Sequence, residues 1–177
     1  MRIIGGQHQR RHIKPPDGLP VRPTTDKAKE ALFNILNNYF YFDEIRVLDL
    51  FAGTGSMAFE FASRGATEVV AVENNTKCVR FIQQVTEQLN FDNLHVLRED
   101  VFRFLQACPA EYDIVFADPP YDHDQITEIP DLVFASNIVS DNGWLILEHP
   151  AEIHFEVHEH FRESRKYSKV NFTFFER

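Results

Sequence analysis

The feature that most restricts the fold is a regular exchange of short apolar runs with helix-period stretches through residues 46–118. RVLDLF (46–51), EVVAVE (68–73), LHVLRE (94–99) and DIVFAD (113–118) have the length and composition of buried strands. Between them lie SMAFEFASRG (56–65), closed by glycine, then residues 76–89 with the stripe Cys78, Ile82, Val85 and Leu89. Residues 101–108 follow, with Val101, Phe104, Leu105 and Cys108 on one side. WLILEH (144–149) reads as a fifth strand after a turn at Gly143. Strands separated by helices pair through crossovers, so the pattern predicts an α/β protein with a doubly wound, mostly parallel sheet and helices on both faces. SRKYSKV and NFTFFE alternate around Asn171 and predict an antiparallel hairpin on the sheet edge. Before the first strand, Thr24, Thr25 and Asp26 are capping residues for a helix reaching Tyr39, with Ala28, Leu32, Ile35, Leu36 and Tyr39 on its apolar face. Residues 122–142 give no single period, because Pro130 interrupts a helical pattern.

The 177 residues predict one domain, spanning 1–177, with residues 1–25 as a basic arm packed on it or extending from it. No apolar run approaches the ~20 residues of a membrane helix, and the first residues lack an apolar signal core, so a cytoplasmic chain is expected. Cys78 and Cys108 fall on apolar stripes and are expected to be small core residues. The net charge of −9 argues against a general nucleic-acid coat, but residues 1–29 carry +5 and the remainder −14. A basic arm on an acidic body fits a local contact with a polyanion or a solvated charged face.

In open α/β sheets, ligands bind beyond the carboxyl ends of the strands. Those ends read DLFAGTGS, VENN, REDV and ADPPY. Gly53-Thr54-Gly55 with Ala58 fits G-x-G-x-x-A, and Glu73 lies 20 residues past Gly53, so a nicotinamide dehydrogenase is a serious rival on this motif alone. Charge separates the readings. Asp49, Glu73, Asp100 and Asp118 would repel a diphosphate, whereas the sulfonium and ammonium of S-adenosylmethionine suit them. Glu73 can accept from a ribose diol in either case. Asp100 can take an adenine amine or cap the following helix, and the two roles are compatible; Asp49 can serve the ligand or cap its own loop.

The fourth strand closes on Asp118-Pro119-Pro120-Tyr121. An exocyclic amine on a nucleobase is planar and weakly nucleophilic. Acceptors against its N–H bonds favour the pyramidal form and stabilise the charge that develops on methyl transfer. Asp118 supplies one acceptor and the Pro119 carbonyl another, while neither proline brings an N–H to compete. Tyr121 offers a face for a base taken out of its stack, worth about 1–3 kcal/mol. As a bare tetrapeptide, D-P-P-Y is usually only a turn; at the end of the fourth strand the amine clamp is the better reading.

D-P-P-Y with F-A-G-T-G resembles the class I S-adenosylmethionine-dependent amino-methyltransferases. MRIIGG, RPTTDKAKEALFNIL, LDLFAGTG and SRGA together resemble the RsmD family, which methylates the N2 amine of guanine 966 in 16S ribosomal RNA. The likeness covers nearly the whole chain. QHQRRH, DKAKE and S-M-A depart from the family's R-G-R, its arginine-richer DR-x-R-E and its S/A-L-G. The resemblance implies that Asp49, Phe51, Ala52, Gly53 and Gly55 hold the methionine part, with Thr24 or Thr25 near its carboxylate. Glu73 and Asn74 would take the ribose, Asp100 and Val101 the adenine, and Asp118, Pro119, Pro120 and Tyr121 the target base. It also gives the arm a role, in which Arg2, Arg10, Arg11, Lys14 and Arg22 would grip phosphates. The implied partner is ribosomal RNA or the assembling small subunit, met by a monomer with no metal and no membrane. Adenine N6 or cytosine N4 of DNA or another RNA is the alternative target, because the clamp serves any exocyclic amine. His154 and His158, with Glu156 and Glu159 nearby, lack H-E-x-x-H order and are expected on a solvated face. Tyr39, Phe40, Tyr41 and Phe42 are expected to pack the first helix against the sheet.

Overall fold

The computed structural model describes residues 1–16, 18–19, 25–108, 110–167 and 170–177. Thr24 and Arg22 therefore lie outside the described residues. The described elements run α1 (Asp26–Leu36), β1 (Arg46–Leu50), α2 (Ser56–Ser63), β2 (Glu68–Glu73), α3 (Thr76–Gln88), β3 (Leu94–Arg98), α4 (Val101–Ala107), β4 (Tyr112–Ala117), α5 (Ile129–Ala135), β5 (Val139–His149), β6 (Phe161–Tyr167) and β7 (Val170–Glu176). The sheet order is β3-β2-β1-β4-β5-β7-β6, parallel through β5 and antiparallel at β7 and β6. The order reverses between β1 and β4, which is where an open α/β sheet leaves its ligand crevice.

Pleating sorts the strand residues between two cores. Val47, Val69, Ala71, Ile114, Phe116, Trp144 and Ile146 face α1, α2 and α3. Leu48, Leu50, Val70, Val72, Val115, Ala117, Leu145 and Leu147 face α4 and α5. Cys78 is fully buried on the α3 stripe, whereas Cys108 is only partly buried beside the second core.

The structure corrects several expectations. Helix α1 ends at Leu36, so Tyr39 leaves its apolar face and lies 54 % exposed against Trp144. Phe40 also meets Trp144 and Phe42 is buried, but Tyr41 faces solvent. Gly143 does not begin β5. It lies inside the strand, where five steps from Val139 to Trp144 oppose two from Tyr112 to Ile114 and the surplus is taken up as a bulge. Asn171 is a paired strand residue between Lys166 and His149, and Tyr167 pairs with Val170 at the end of the ladder. Pro130 starts α5 rather than breaking a helix, because the first turn needs no N–H from it. His158 is not on a solvated face: its ring packs on Phe175 and its Nε2 lies 3.2 Å from Asp131.

Residues 1–13 double back on themselves through an antiparallel bridge between Arg2 and His12 and dock on α2, where the Gln7 and His8 N–H groups donate to Ser63, with Ile3 and Ile13 buried. Glu60 of α2, wholly buried, is the anchor. It accepts from the N–H groups of Ile4 and Gly5, each at 2.8 Å, and pairs with Lys29 at 3.4 Å and Arg64 at 2.9 Å. The Lys29 ammonium also donates to the Arg2 carbonyl at 2.7 Å and to Ser56. Gly6 sits at φ +75°, and a Cβ there would collide with the Ser63 carbonyl at 1.8 Å, so only glycine lets the arm lie this close.

Glu60→Ala should lower the unfolding free energy by about 3–5 kcal/mol, since it strands a buried ammonium. Adding Lys29→Met should recover part of that loss in urea denaturation.

Candidate functional site

Ladder register continues the α1–α3 face of each strand into an acid. Val69 and Ala71 lead to Glu73, Val47 to Asp49, Ile114 and Phe116 to Asp118, and Trp144 and Ile146 to Glu148. Ala117 pairs with Leu50 and with Leu147, so Asp118 and Glu148 occupy neighbouring ladder positions one residue further on. These acids border a cavity of about 870 Å³. The chemistry is a pocket rich in carboxyls.

Each carboxyl has a different duty. Asp49, 1 % exposed, accepts from the Ala58 N–H at 3.0 Å and so steadies the first turn of α2. Burial pushes its pKa up to about 8, with the charge of Glu73 adding to the effect. Glu73 accepts from the N–H of Gly53 at 2.8 Å and of Asn75 at 2.6 Å, one on each oxygen, tying the glycine loop to the end of β2. Each oxygen keeps a second lone pair for a ligand hydroxyl. Asp118 is held well above the carboxylate range, first by desolvation, then by Glu148 and Asp49. Glu148 is nearly buried, and Tyr121 donates its hydroxyl to it at 3.1 Å.

The predicted residues Thr25, Asp49, Phe51, Ala52, Gly53, Glu73, Asn74, Asp100, Val101, Asp118, Pro119, Pro120 and Tyr121 all line this cavity. Gly55 does not. It begins α2 at φ +75°, and a Cβ would press on Ile82 and Phe59, so its lack of a side chain serves packing. Asp100 caps α4 by accepting from the Arg103 N–H at 3.1 Å while also facing the cavity. Thr25 caps α1 by accepting from the Ala28 N–H and also lines the cavity. In the arm, Arg10, Arg11 and Lys14 are exposed, and Arg2 lies 3.4 Å from Asp26 in a partly exposed ion pair.

Sequence reasoning missed Glu148, whose signal was the period-two stripe Trp144-Ile146-Glu148 in WLILEH. It also missed His123, whose ring lies 5.2 Å from Phe102 and 6.0 Å from Phe51, making an aromatic wall beside Val101.

This donor set fits a cation rather than a diphosphate. Asp49, Asp118 and Glu148 crowd at the rim of one cavity, and the Gly53 N–H that could hold a phosphate is already given to Glu73. Among the described residues no group of metal-ligating side chains is present, and no helix is long and apolar enough to cross a membrane.

Fold and site together define a Rossmann-like methyltransferase. A 16S rRNA N2 G1207 methyltransferase of Thermus thermophilus, RsmC, in complex with AdoMet and guanosine, shares the fold with a TM-score of 0.74 at 24 % identity, over 90 % of this chain and 45 % of that one. A hypothetical protein, also of Thermus thermophilus, matches all of this chain and 99 % of its own, with a TM-score of 0.88 and 29 % identity. The ribosomal RNA small subunit methyltransferase D of Escherichia coli K12 is 33 % identical over 145 residues, 82 % of this chain and 69 % of the relative. The chain belongs to the RsmD family, whose model, described as Conserved hypothetical protein 95, matches residues 1–176.

Asp49 gives a pH prediction. The folded chain holds the Asp49 proton more tightly than the unfolded chain, so between about pH 4 and about pH 8 the unfolded state ionises first and stability falls. Asp49→Asn keeps an acceptor for the Ala58 N–H and removes that titration. Its stability relative to the parent should rise across this window in urea melts at fixed ionic strength, and should not change further above it.

Proposed function

We propose that this chain transfers a methyl group from S-adenosylmethionine to the exocyclic N2 amine of a guanine in 16S ribosomal RNA, of the guanine 966 type, in the cytoplasm. The observation that carries the reading is the Asp118-Pro119-Pro120-Tyr121 turn set beside Glu148 at the rim of an acid-lined cavity. Membership of the family and the name of the Escherichia coli relative support ribosomal RNA as the substrate class.

When bound, S-adenosylmethionine supplies a methyl group on a cationic sulfur. Glu73, with Asn74, receives the ribose hydroxyls, and Asp100 and Val101 receive the adenine near Phe51, Phe102 and His123. The Gly53 loop, Thr25 and Asp49, all in the cavity lining, would hold the methionine end. Asp118 and the Pro119 carbonyl accept the two hydrogens of the target amine and draw its lone pair out of conjugation. Tyr121 stacks the base, and its hydroxyl bond to Glu148 fixes the ring.

As the nitrogen becomes cationic it sheds a proton, and the Asp118–Glu148 pair receives it. The raised affinity of Asp118 for protons suits that step. A cation in the cavity also favours an ionised Asp49, so donor affinity should rise with pH as Asp49 deprotonates.

The decisive measurement is nucleoside mass mapping after incubation with S-adenosylmethionine and small-subunit RNA, naked or protein-loaded. N2-methylguanine is expected; N6-methyladenine or N4-methylcytosine would redirect the assignment to another amine. Asp118→Ala should abolish turnover with little change in donor affinity by calorimetry, and Glu73→Ala should chiefly weaken the donor. Loss of donor binding with turnover kept at saturation in Asp118→Ala would overturn the roles of these two acids.

A further inference from the structure

We propose that a groove between Lys14–Pro16 with Leu19 and α3 holds the phosphate backbone of the RNA strand flanking the target nucleotide, an inference that rests on the RNA-methyltransferase reading above. The groove encloses about 560 Å³. Lys14, Pro15 and Pro16 form one wall, and Lys77, Arg80 and Phe81 of α3 form the other. Its three cations are exposed, and no carboxylate pairs with them among the described residues. Arg46, Arg64, Arg162, Arg165 and Arg177 each meet an acid, whereas the groove's three stand with the cations left to solvent, such as Arg10 and Arg11. None of the described lining residues is acidic, although the chain carries −9 overall. Exposed cations lining one groove with no acid partner among the described residues, on a protein of net charge −9, suit a polyanion.

The geometry favours a strand of nucleic acid. Lys77 and Arg80 are three residues apart on one helical face, so both project to the same side, about 4.5 Å apart along the axis. Phe81 and the prolines give the groove an apolar floor for sugar or base surface, which a simple anion does not need. Position links the groove to the chemistry. Helix α3 starts directly after Glu73, Asn74 and Asn75, which line the main cavity, so a strand in the groove runs within a helical turn of the cavity mouth. These α3 residues extend the phosphate contact beyond the arm's Arg10 and Arg11.

The test is the double variant Lys77→Ala/Arg80→Ala in the full chain, at exposed helix positions where alanine preserves the fold. Thermal unfolding and S-adenosylmethionine calorimetry should match the parent. Binding to a naked 16S ribosomal RNA fragment, read by fluorescence anisotropy, should weaken about tenfold at ~0.1 M salt, and the slope of log affinity against log salt should fall by about 1.4, roughly 0.7 for each cation removed. Parental affinity and slope would overturn the groove. A defect on protein-loaded particles with naked RNA unaffected would also overturn it, in favour of an acidic protein surface. If the parent methylates small-subunit RNA and the variant binds and methylates it equally well, only the groove falls. If the parent methylates neither naked nor protein-loaded RNA, the enzymatic reading fails and the groove goes with it.

Discussion

Parallel, in-register pairing of β2, β1, β4 and β5 is the constraint on which the site depends. Because side chains alternate faces, the ladder fixes which residue at each strand end looks toward α1–α3, and in four adjacent strands that residue is an acid: Glu73, Asp49, Asp118 and Glu148. A slip of one residue in any strand would turn its acid to the other face. The dense apolar packing behind the acids, from Val47, Ala71, Phe116 and Ile146, makes such a slip costly and keeps the carboxyls in a poorly hydrated rim.

That rim stores an electrostatic tension. Asp49 and Asp118 resist ionisation because they are desolvated and because like charges surround them. Backbone amides relieve it in part, with Ala58 serving Asp49, and Gly53 and Asn75 serving Glu73. A cationic ligand relieves the remainder, so the same burial that destabilises the ionised acids makes the cavity selective for positive charge. The protein meets a different problem at the arm. There Glu60 is neutralised inside the fold by Lys29 and Arg64, and its oxygens are spent on holding residues 4 and 5 rather than on a ligand.

Charge is also segregated around the cavity. Acids line the cavity at the strand ends, while exposed cations with no acid partner among the described residues stand outside on the arm and on the first turns of α3. An acidic chain can thus present a locally cationic surface without a positive net charge. The two fields act at different ranges: the inner one is confined to a low-dielectric pocket, and the outer one is open to solvent and screened by salt.

Local periodicity determined the element order, the mostly parallel sheet and the C-terminal hairpin, because strands and helices impose periods of two and 3.6 that survive in the residues themselves, and the strand ends so located carry the acids of the cavity. The D-P-P-Y turn was legible for the same reason: prolines must end a strand wherever it lies. Tertiary structure alone decided the partnerships. Glu148 became part of the site because Leu147 pairs with Ala117, a contact between residues 30 apart that no local pattern encodes. Gly55 has Ile82 and Phe59 standing against it, and Arg2 has Asp26 within reach, neighbours that sequence spacing does not reveal. Sequence spacing records which face a side chain takes; only the folded register decides what it meets there.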